Sequence, residues 1–288
     1  MDARPTLPLA LVVMVCFACN SLITRYLVSQ GLLDPASVTI TRFAAGAAML
    51  ALVLAPQGRL REAWPRLADW PLVLFLGAYA LAIAYGYRHI SAAAGTFVFY
   101  ALVIATMTAG GARPTFRTAA GAALALSGVA VLAIGRVEGT TPLGVGLLAL
   151  TGATWGAYSL LLRKRGSPVA TSASAFIGLT LLLPVLAWIE RDGLRITPNG
   201  LALGLGMGAL TTALAYALWA RVLPGLTPLE AGTVQLLVPV LTAAVGVVAL
   251  GEAFTTRLAL AGALVLAGMW LTVQRPGGAP VPRANHGK

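Results

Sequence analysis

Apolar runs that contain no charged residue follow one another along almost the whole chain. Each is close to the length that an α-helix needs to cross about 30 Å of hydrocarbon. No linker between the runs is long enough to fold as a soluble domain. The pattern predicts an all-α integral membrane protein with ten transmembrane helices, over residues 5–24, 43–58, 70–87, 90–112, 118–135, 139–162, 166–189, 196–220, 231–251 and 258–274.

Composition supports this class, and the positions of the charges set an orientation. The 288 residues are 58% hydrophobic and 10% charged, whereas soluble domains are about 25% charged. If the N-terminus lies in the cytoplasm, thirteen of the 20 Lys and Arg residues fall inside, six fall outside, and Arg42 alone lies within a span. This asymmetry follows the positive-inside rule and predicts that both termini are cytoplasmic. The net charge of +11 therefore needs no nucleic-acid partner.

The chain repeats itself weakly, in the same order throughout. A shift of 137 residues places GTFVFYALVIATMTAGG (95–111) on GTVQLLVPVLTAAVGVV (232–248). Because each repeat holds five spans, an odd number, the second must cross the bilayer in the opposite sense. We therefore predict two inverted-topology five-helix repeats, residues 1–137 and 138–274, around a central cavity, and a disordered cytoplasmic tail over 275–288. Such repeats are typical of secondary transporters that work by alternating access.

Glycines at four-residue spacing predict helices that pack closely. In lipid, small residues on one helix face let two backbones approach each other. The sequence has two such series, Gly152 with Gly156, and Gly200 with Gly204 and Gly208.

Residues that would mark an enzyme are few. Cys16 and Cys19 lie in an apolar helix with no acid or histidine beside them, so we interpret them as packing residues. The sequence has no G-x-x-x-x-G-K-[ST] phosphate loop and no paired acids at mid-span. We predict no metal, no cofactor and no enzymatic activity. An intramembrane enzyme remains the alternative from another class.

The stretch LVPVLTAAVGVVALGE (237–252) places a proline near the start of an apolar run and a glutamate at its end. Pro239 removes an amide donor and frees a carbonyl about one turn earlier, which predicts an inward kink that is either a hinge or part of a ligand site. Glu252 falls at the outer end of its span. It can bond to backbone amides, pair with Arg257, or bind substrate or a proton.

The same P…G…LGE pattern is found in the drug/metabolite transporter superfamily, and nearly the whole chain resembles its ten-span members with two EamA domains. The first repeat departs from the pattern, with Leu102, Ala109, Pro114 and Thr115 at the corresponding positions. Its segments FVFYALVIATMTAGG and GYRHISAAAG are most similar to YddG-type aromatic amino-acid exporters. The resemblance implies a transporter of the bacterial inner (plasma) membrane that exports small metabolites, foremost aromatic and other amino acids. A broad drug, cation or metabolite exporter, or an exporter of small neutral amino acids such as threonine, is the alternative.

Polar and aromatic side chains at mid-span are costly in lipid and tend to face a cavity. Here they suggest a pocket that stacks a flat ring and holds a few polar groups, with helix packing or lipid contact as the alternative for each ring. The candidate substrate-binding residues are Asn20, Arg42, Tyr79, Phe99, Tyr100, Trp155, Tyr158, Tyr216, Trp219 and Gln235.

Arg42 and His89 are the unusual charged or titratable groups near the spans. The fork of arginine suits a substrate carboxylate, and the alternative is a head group that reaches back to the interface. His89 shares a predicted helix face with Tyr85 at the outer mouth of span 3 and is a candidate gating residue or a structural histidine. The expected partners are a small-molecule substrate (an amino acid or similar metabolite) and the lipid bilayer, with the protein as a monomer.

Overall fold

The computed structural model describes residues 6–110, 115–134, 140–226, 231, 234, 235 and 237–273. The predicted tail 275–288 lies outside these residues. Within them, ten long helices follow one another. They are α1 (Thr6–Ser29), α2 (Pro35–Leu54), α3 (Trp70–Gly86), α4 (Ala92–Ala109), α5 (Phe116–Ile134), α6 (Pro142–Arg163), α7 (Pro168–Ile189), α8 (Pro198–Gly206, Met207–Leu214 and Ala215–Val222 in succession), α9 (Leu237–Leu250) and α10 (Thr256–Val273).

Seven of the helices are long and apolar enough to cross a membrane, namely α1 to α4 and α6 to α8. Shorter apolar helices lie within α5, α9 and α10. These findings support a multi-pass membrane protein. The charge-free run that begins at residue 43 is the later part of α2, which begins at Pro35. Arg42 therefore lies within the helix, as predicted, and its charge is buried inside the bundle.

Several helices begin at a proline that follows a capping side chain. Proline fits the first turn because the amide it lacks has no partner inside the helix. The side chain before it then accepts a hydrogen bond from an amide of the first turn. This arrangement opens α2 after Asp34, α6 after Thr141 and α8 after Thr197.

Polar contacts join the helices at two opposite ends of the bundle. The first is called the Glu252 end, after the glutamate that follows α9. Here Arg25, near the end of α1, donates to the carbonyl of Tyr87 at 2.6 Å. There too, the amide of Thr141, just before α6, donates to the carbonyl of His89 at 2.8 Å. Because α1 ends where α6 begins, these two helices run in opposite directions.

At the other end, the Asp69 end, the connection between α2 and α3 meets the start of α7. The Ser174 hydroxyl donates to the Asp69 carboxylate at 2.9 Å, and Arg59 donates to Ser167 at 2.6 Å. Arg59 also forms two hydrogen bonds with Glu62, and this guanidinium lowers the pKa of the exposed Glu62 carboxyl. The chain connections at both ends are thus fastened to neighbouring helices.

The glycine series are packing faces, as their spacing predicted. A Cβ on Gly200, Gly204 or Gly208 would lie within 3.0 Å of atoms near or in α2, including the carbonyl oxygens of Leu32 and Arg42. On α6, a Cβ on Gly152 or Gly156 would come equally close to α4. These close approaches hold α8 against α2, and α6 against α4, on either side of the bundle centre.

We expect Gly152→Ala to destabilise the protein and Gly146→Ala, on the same helix, to leave it unchanged or slightly more stable. The added Cβ at 152 meets the carbonyl oxygen of Phe99, whereas no atom lies within 4 Å of one at 146. Overpacking costs about 1–3 kcal/mol, and alanine is the better helix former by about 1 kcal/mol. Thermal unfolding of the detergent-solubilised variants measures the difference, and equal midpoints would contradict the packing described.

Candidate functional site

Five aromatic rings from five helices meet at the centre of the bundle. They belong to Phe17 of α1, Tyr79 of α3, Phe99 of α4, Trp155 of α6 and Tyr216 of α8. The Trp155 centroid lies 5.0 Å from that of Tyr216 and 5.5 Å from those of Phe17 and Tyr79. Such edge and tilted contacts are the favoured geometries of aromatic pairs. The rings therefore hold the inner faces of these helices together.

A small cavity of about 10 Å³ lies between these rings. A volume of about 10–15 Å³ has room for one water molecule, so an amino acid enters only if the helices move apart. The side chains that line it are Phe17, Asn20, Ser21, Tyr79, Phe99, Tyr100, Trp155 and Tyr216.

One edge of the cavity is polar and is organised by Arg42. This side chain is 1% exposed. Its Nη2 donates to the Tyr79 hydroxyl at 2.9 Å, and its Nε donates to Thr212 Oγ1 at 3.0 Å. Thr212 Oγ1 also accepts from Asn20 Nδ2 at 3.1 Å. The network ties α1, α2, α3 and α8 together behind the aromatic rings.

The guanidinium of Arg42 has neutral partners. None of the ion pairs among the described residues includes it, and its charge lies 5.0 Å from the Phe43 ring and 5.3 Å from the Tyr79 ring. Burial of a charge costs several kcal/mol before compensation, and ring faces return part of this. The hypothesis that Arg42 reaches back to the membrane interface is wrong, because its head group is bonded at the bundle centre.

Three further polar atoms in this region are buried and have no hydrogen-bond partner among the described residues. They are Oδ1 of Asn20 and the hydroxyl of Tyr216, two residues that line the cavity, and Nε1 of Trp219. An unsatisfied buried polar group costs about 1–3 kcal/mol. A ligand that bonded to Asn20 Oδ1 would recover this free energy.

Six of the ten candidate residues line the cavity: Asn20, Tyr79, Phe99, Tyr100, Trp155 and Tyr216. The other four contact residues that line the cavity. Tyr158 stacks on Trp155 at 5.5 Å and donates to Ser172, and Gln235 Oε1 accepts from Trp155 Nε1 at 3.0 Å. Trp219 packs 6.1 Å from Phe17, and Arg42 bonds to Tyr79.

The sequence interpretation missed Phe17, Ser21 and Thr212. Phe17 could have been found, since it lies three residues before Asn20 and therefore on the same face of α1. Thr212 lies in the π-helical part of α8, Met207–Leu214. Single π turns often mark functional sites, but no sequence signal predicted this one.

The family model described as "EamA-like transporter family" matches residues 142–274. The uncharacterised protein PA1977 of Pseudomonas aeruginosa is 36% identical over 275 residues, which cover 94% of this chain and 95% of that protein. The chain belongs to the EamA-like transporter family. The family implies a multi-pass membrane transporter whose substrate is a small molecule.

Two other relatives of this EamA-like transporter carry functional names. A probable terminal-alkyne amino-acid exporter of Streptantibioticus cattleyicolor is 29% identical over 83% of this chain and 84% of its own length. The threonine/homoserine exporter RhtA of Salmonella typhimurium is 31% identical over 46% of each chain. A solved crystal structure with 18% identity superposes with a TM-score of 0.69, covers 94% of this chain and 98% of its own, and supports the fold.

Pro239 of the EamA-like motif lies in the first turn of α9, where its side chain is buried. The carbonyl that its missing amide would have bonded is that of Gln235, which accepts instead from the Val238 amide at 3.1 Å. Gln235 is itself non-helical, although Val234 before it is helical. The helical hydrogen bonding is therefore interrupted one turn before Pro239, next to the side chain that bonds Trp155.

Glu252 of the motif fastens the end of α9 to the start of α4. Its two carboxylate oxygens accept from the amides of Ala92 at 2.6 Å and Ala93 at 3.1 Å. Its ion-pair partner is Arg25 of α1, at 3.6 Å, which corrects the predicted pairing with Arg257. A carboxylate at a helix N-terminus satisfies free amides and interacts favourably with the helix dipole.

His89 does not share a helix face with Tyr85, which corrects the prediction. Helix α3 ends at Gly86, and His89 lies in the bend that follows, partly exposed. Its carbonyl accepts from the Thr141 amide, so its backbone joins α3 to the start of α6. Tyr85 instead donates to Glu190 after α7 at 2.8 Å.

We expect Glu252→Gln to lower the free energy of unfolding by about 1–3 kcal/mol, because the amide keeps one acceptor and loses the charge-assisted bonds. The matched control is Asp192→Asn, whose carboxylate is 91% exposed. Thermal unfolding of the purified variants provides the comparison. A Glu252→Gln midpoint equal to that of the control would show that the contact contributes nothing to stability.

Proposed function

We propose that the protein exports amino acids, foremost aromatic ones, across the bacterial inner membrane. In this proposal both termini are cytoplasmic, and two inverted repeats, residues 1–137 and 138–274, alternate the access to one central site. The observation that carries the proposal is the cavity at the bundle centre, which joins five aromatic rings to a buried, positively charged polar edge.

The packing of the helices supports two inverted repeats. In each repeat, the third and fourth helices pack on the first helix of the other repeat. Helices α3 and α4 pack on α6, and α8 and α9 pack on α1. Helices α2 and α7, α4 and α9, and α5 and α10 each contact their own counterpart. A twofold axis that relates the two halves would produce such matching contacts between them. The opposite directions of α1 and α6 agree with an axis in the membrane plane.

The small cavity, with polar contacts at both ends of the bundle, supports alternating access around a central site. Glu252 and its partners fasten the helices at one end, and Asp69 with Ser174 fastens them at the other. The aromatic rings at the bundle centre pack together between these two ends. Opening at one end while the other stays fastened would expose the site to one side of the membrane only.

Ring-lined walls favour a flat apolar side chain in the substrate. Aromatic side chains stack on such rings with about 0.5–1.5 kcal/mol beyond their buried area. The positive charge of Arg42 at the polar edge favours a carboxylate, and two relatives are named as amino-acid exporters. An exporter of threonine-like substrates is the second candidate, favoured by RhtA, and a broad drug exporter is the third.

Transport in proteoliposomes tests this proposal. We expect purified protein to transport labelled tryptophan, tyrosine or phenylalanine in preference to threonine and to cationic drugs. Trp155→Ala should lower this transport at least about fivefold, since it removes a ring that contributes about 1–3 kcal/mol to the site. Trp188→Ala, a tryptophan that is 68% exposed, is the control. Transport restricted to threonine, or to cations, would reject the aromatic specificity.

Reporter fusions test the repeats independently. A reporter joined after residue 138 should lie outside the cytoplasm, and one joined after residue 274 should lie inside, because five spans precede the first and ten precede the second. Two reporters measure the side of each joint. Green fluorescence marks a joint inside the cytoplasm, and alkaline phosphatase activity marks a joint outside it. Both joints on one side would contradict the inverted repeats.

A further inference from the structure

We infer that the two charged groups of an α-amino acid bind to different side chains at the polar edge of the cavity. In this assignment the Tyr79 hydroxyl donates to the substrate carboxylate, and Asn20 Oδ1 accepts from the substrate ammonium. Arg42 is a positioning residue that acts through Tyr79. The inference rests on the proposed function and specifies how that site recognises its substrate.

Arg42 stands behind the cavity wall. Tyr79 and Asn20 line the cavity, and Arg42 is not among the described side chains that do. Its Nη2 and Nε are engaged by Tyr79 and Thr212. A carboxylate in the cavity therefore meets the Tyr79 hydroxyl before it meets the guanidinium.

The bond from Arg42 fixes the role of the Tyr79 hydroxyl. A guanidinium has donors only, so the oxygen of Tyr79 must be the acceptor in this bond. The one proton of the hydroxyl is then left to point elsewhere, and Tyr79 lines the cavity. A positive charge behind a hydroxyl also strengthens the bond that it donates to an anion. Tyr79 is thus a donor whose direction Arg42 sets.

Asn20 supplies the complementary group. Its Nδ2 donates to Thr212 Oγ1 at 3.1 Å, and this leaves Oδ1, in a side chain that is 3% exposed, without a partner among the described residues. A carbonyl oxygen only accepts, so it suits an ammonium and repels a carboxylate. Because Arg42 and Asn20 both bond to Thr212, the donor and the acceptor belong to one network. The edge is therefore complementary to a zwitterion.

Binding of three compounds to the purified full-length protein separates these roles. They are tryptophan, tryptamine, which lacks the carboxylate, and indole-3-propionate, which lacks the ammonium. Tyr79→Phe should weaken tryptophan about tenfold or more and leave tryptamine unchanged. Asn20→Leu should weaken tryptophan by a similar factor and leave indole-3-propionate unchanged. Tyr26→Phe, at a tyrosine that is 39% exposed, is the control and should bind all three as the wild type does.

A double-mutant cycle tests the indirect role of Arg42. We expect Arg42→Gln to weaken tryptophan in the wild-type background and to add little in the Tyr79→Phe background, since both changes remove one interaction. Arg42→Lys keeps a donor and a charge at this position and should restore part of the affinity that Arg42→Gln loses. Such recovery would show that the loss in Arg42→Gln is not caused by misfolding. Full additivity of the two changes would show direct contact with the carboxylate and overturn the positioning role.

The possible failures are distinguishable. If Tyr79→Phe or Asn20→Leu weakens the amino acid and its truncated analogue equally, the assignment of the two charged groups is overturned, and the proposed function is not. Phenylalanine and threonine serve as second and third probes with the same variants. If tryptophan, phenylalanine and threonine all fail to bind the wild-type protein, the proposed function is overturned together with this inference.

Discussion

A buried arginine in a membrane bundle has to find its partners inside the protein, and this constraint organises the centre of the molecule. Water is absent from the hydrocarbon core, so each polar group there is satisfied by another helix or is paid for in stability. Arg42 bonds to Tyr79 and Thr212, and Thr212 bonds to Asn20. These bonds fix the mutual positions of four helices. The aromatic rings fill the space that this frame leaves.

The ends of the bundle obey the same rule with different groups. At a helix N-terminus the free amides need acceptors, and α4 receives three, two from Glu252 and one from Ser91. Arg25 adds an ion pair to Glu252 and a bond to the carbonyl of Tyr87. One acidic side chain thereby holds α1, α4 and the chain after α9 together. The glutamate at the end of the EamA-like motif has a structural role that follows from backbone chemistry.

Most of the fold could be predicted from the sequence, because span length and glycine spacing are local patterns with a direct physical cause. The candidate site was predicted in part, since mid-span rings and polar groups are rare enough in lipid to be noticed singly. What could not be predicted was which of them meet. The pairing of Glu252 with Arg25 rather than Arg257 joins residues far apart in sequence, and Thr212 enters the site through a π turn. The charge-free run covered only the later part of α2, because the charge of Arg42 interrupts that pattern inside the helix.

The small volume between the rings has an energetic consequence for a carrier. The Trp155 and Tyr216 rings now pack edge to face, 5.0 Å apart, and the cavity beside them measures only about 10 Å³. When the helices separate, this contact between the two rings is lost. The loss is offset only if the flat side chain of a substrate packs against the rings instead. A protein with bound substrate would therefore reorient over a lower energy barrier than an empty one. Exchange of one substrate molecule for another would then be faster than the return of the empty carrier.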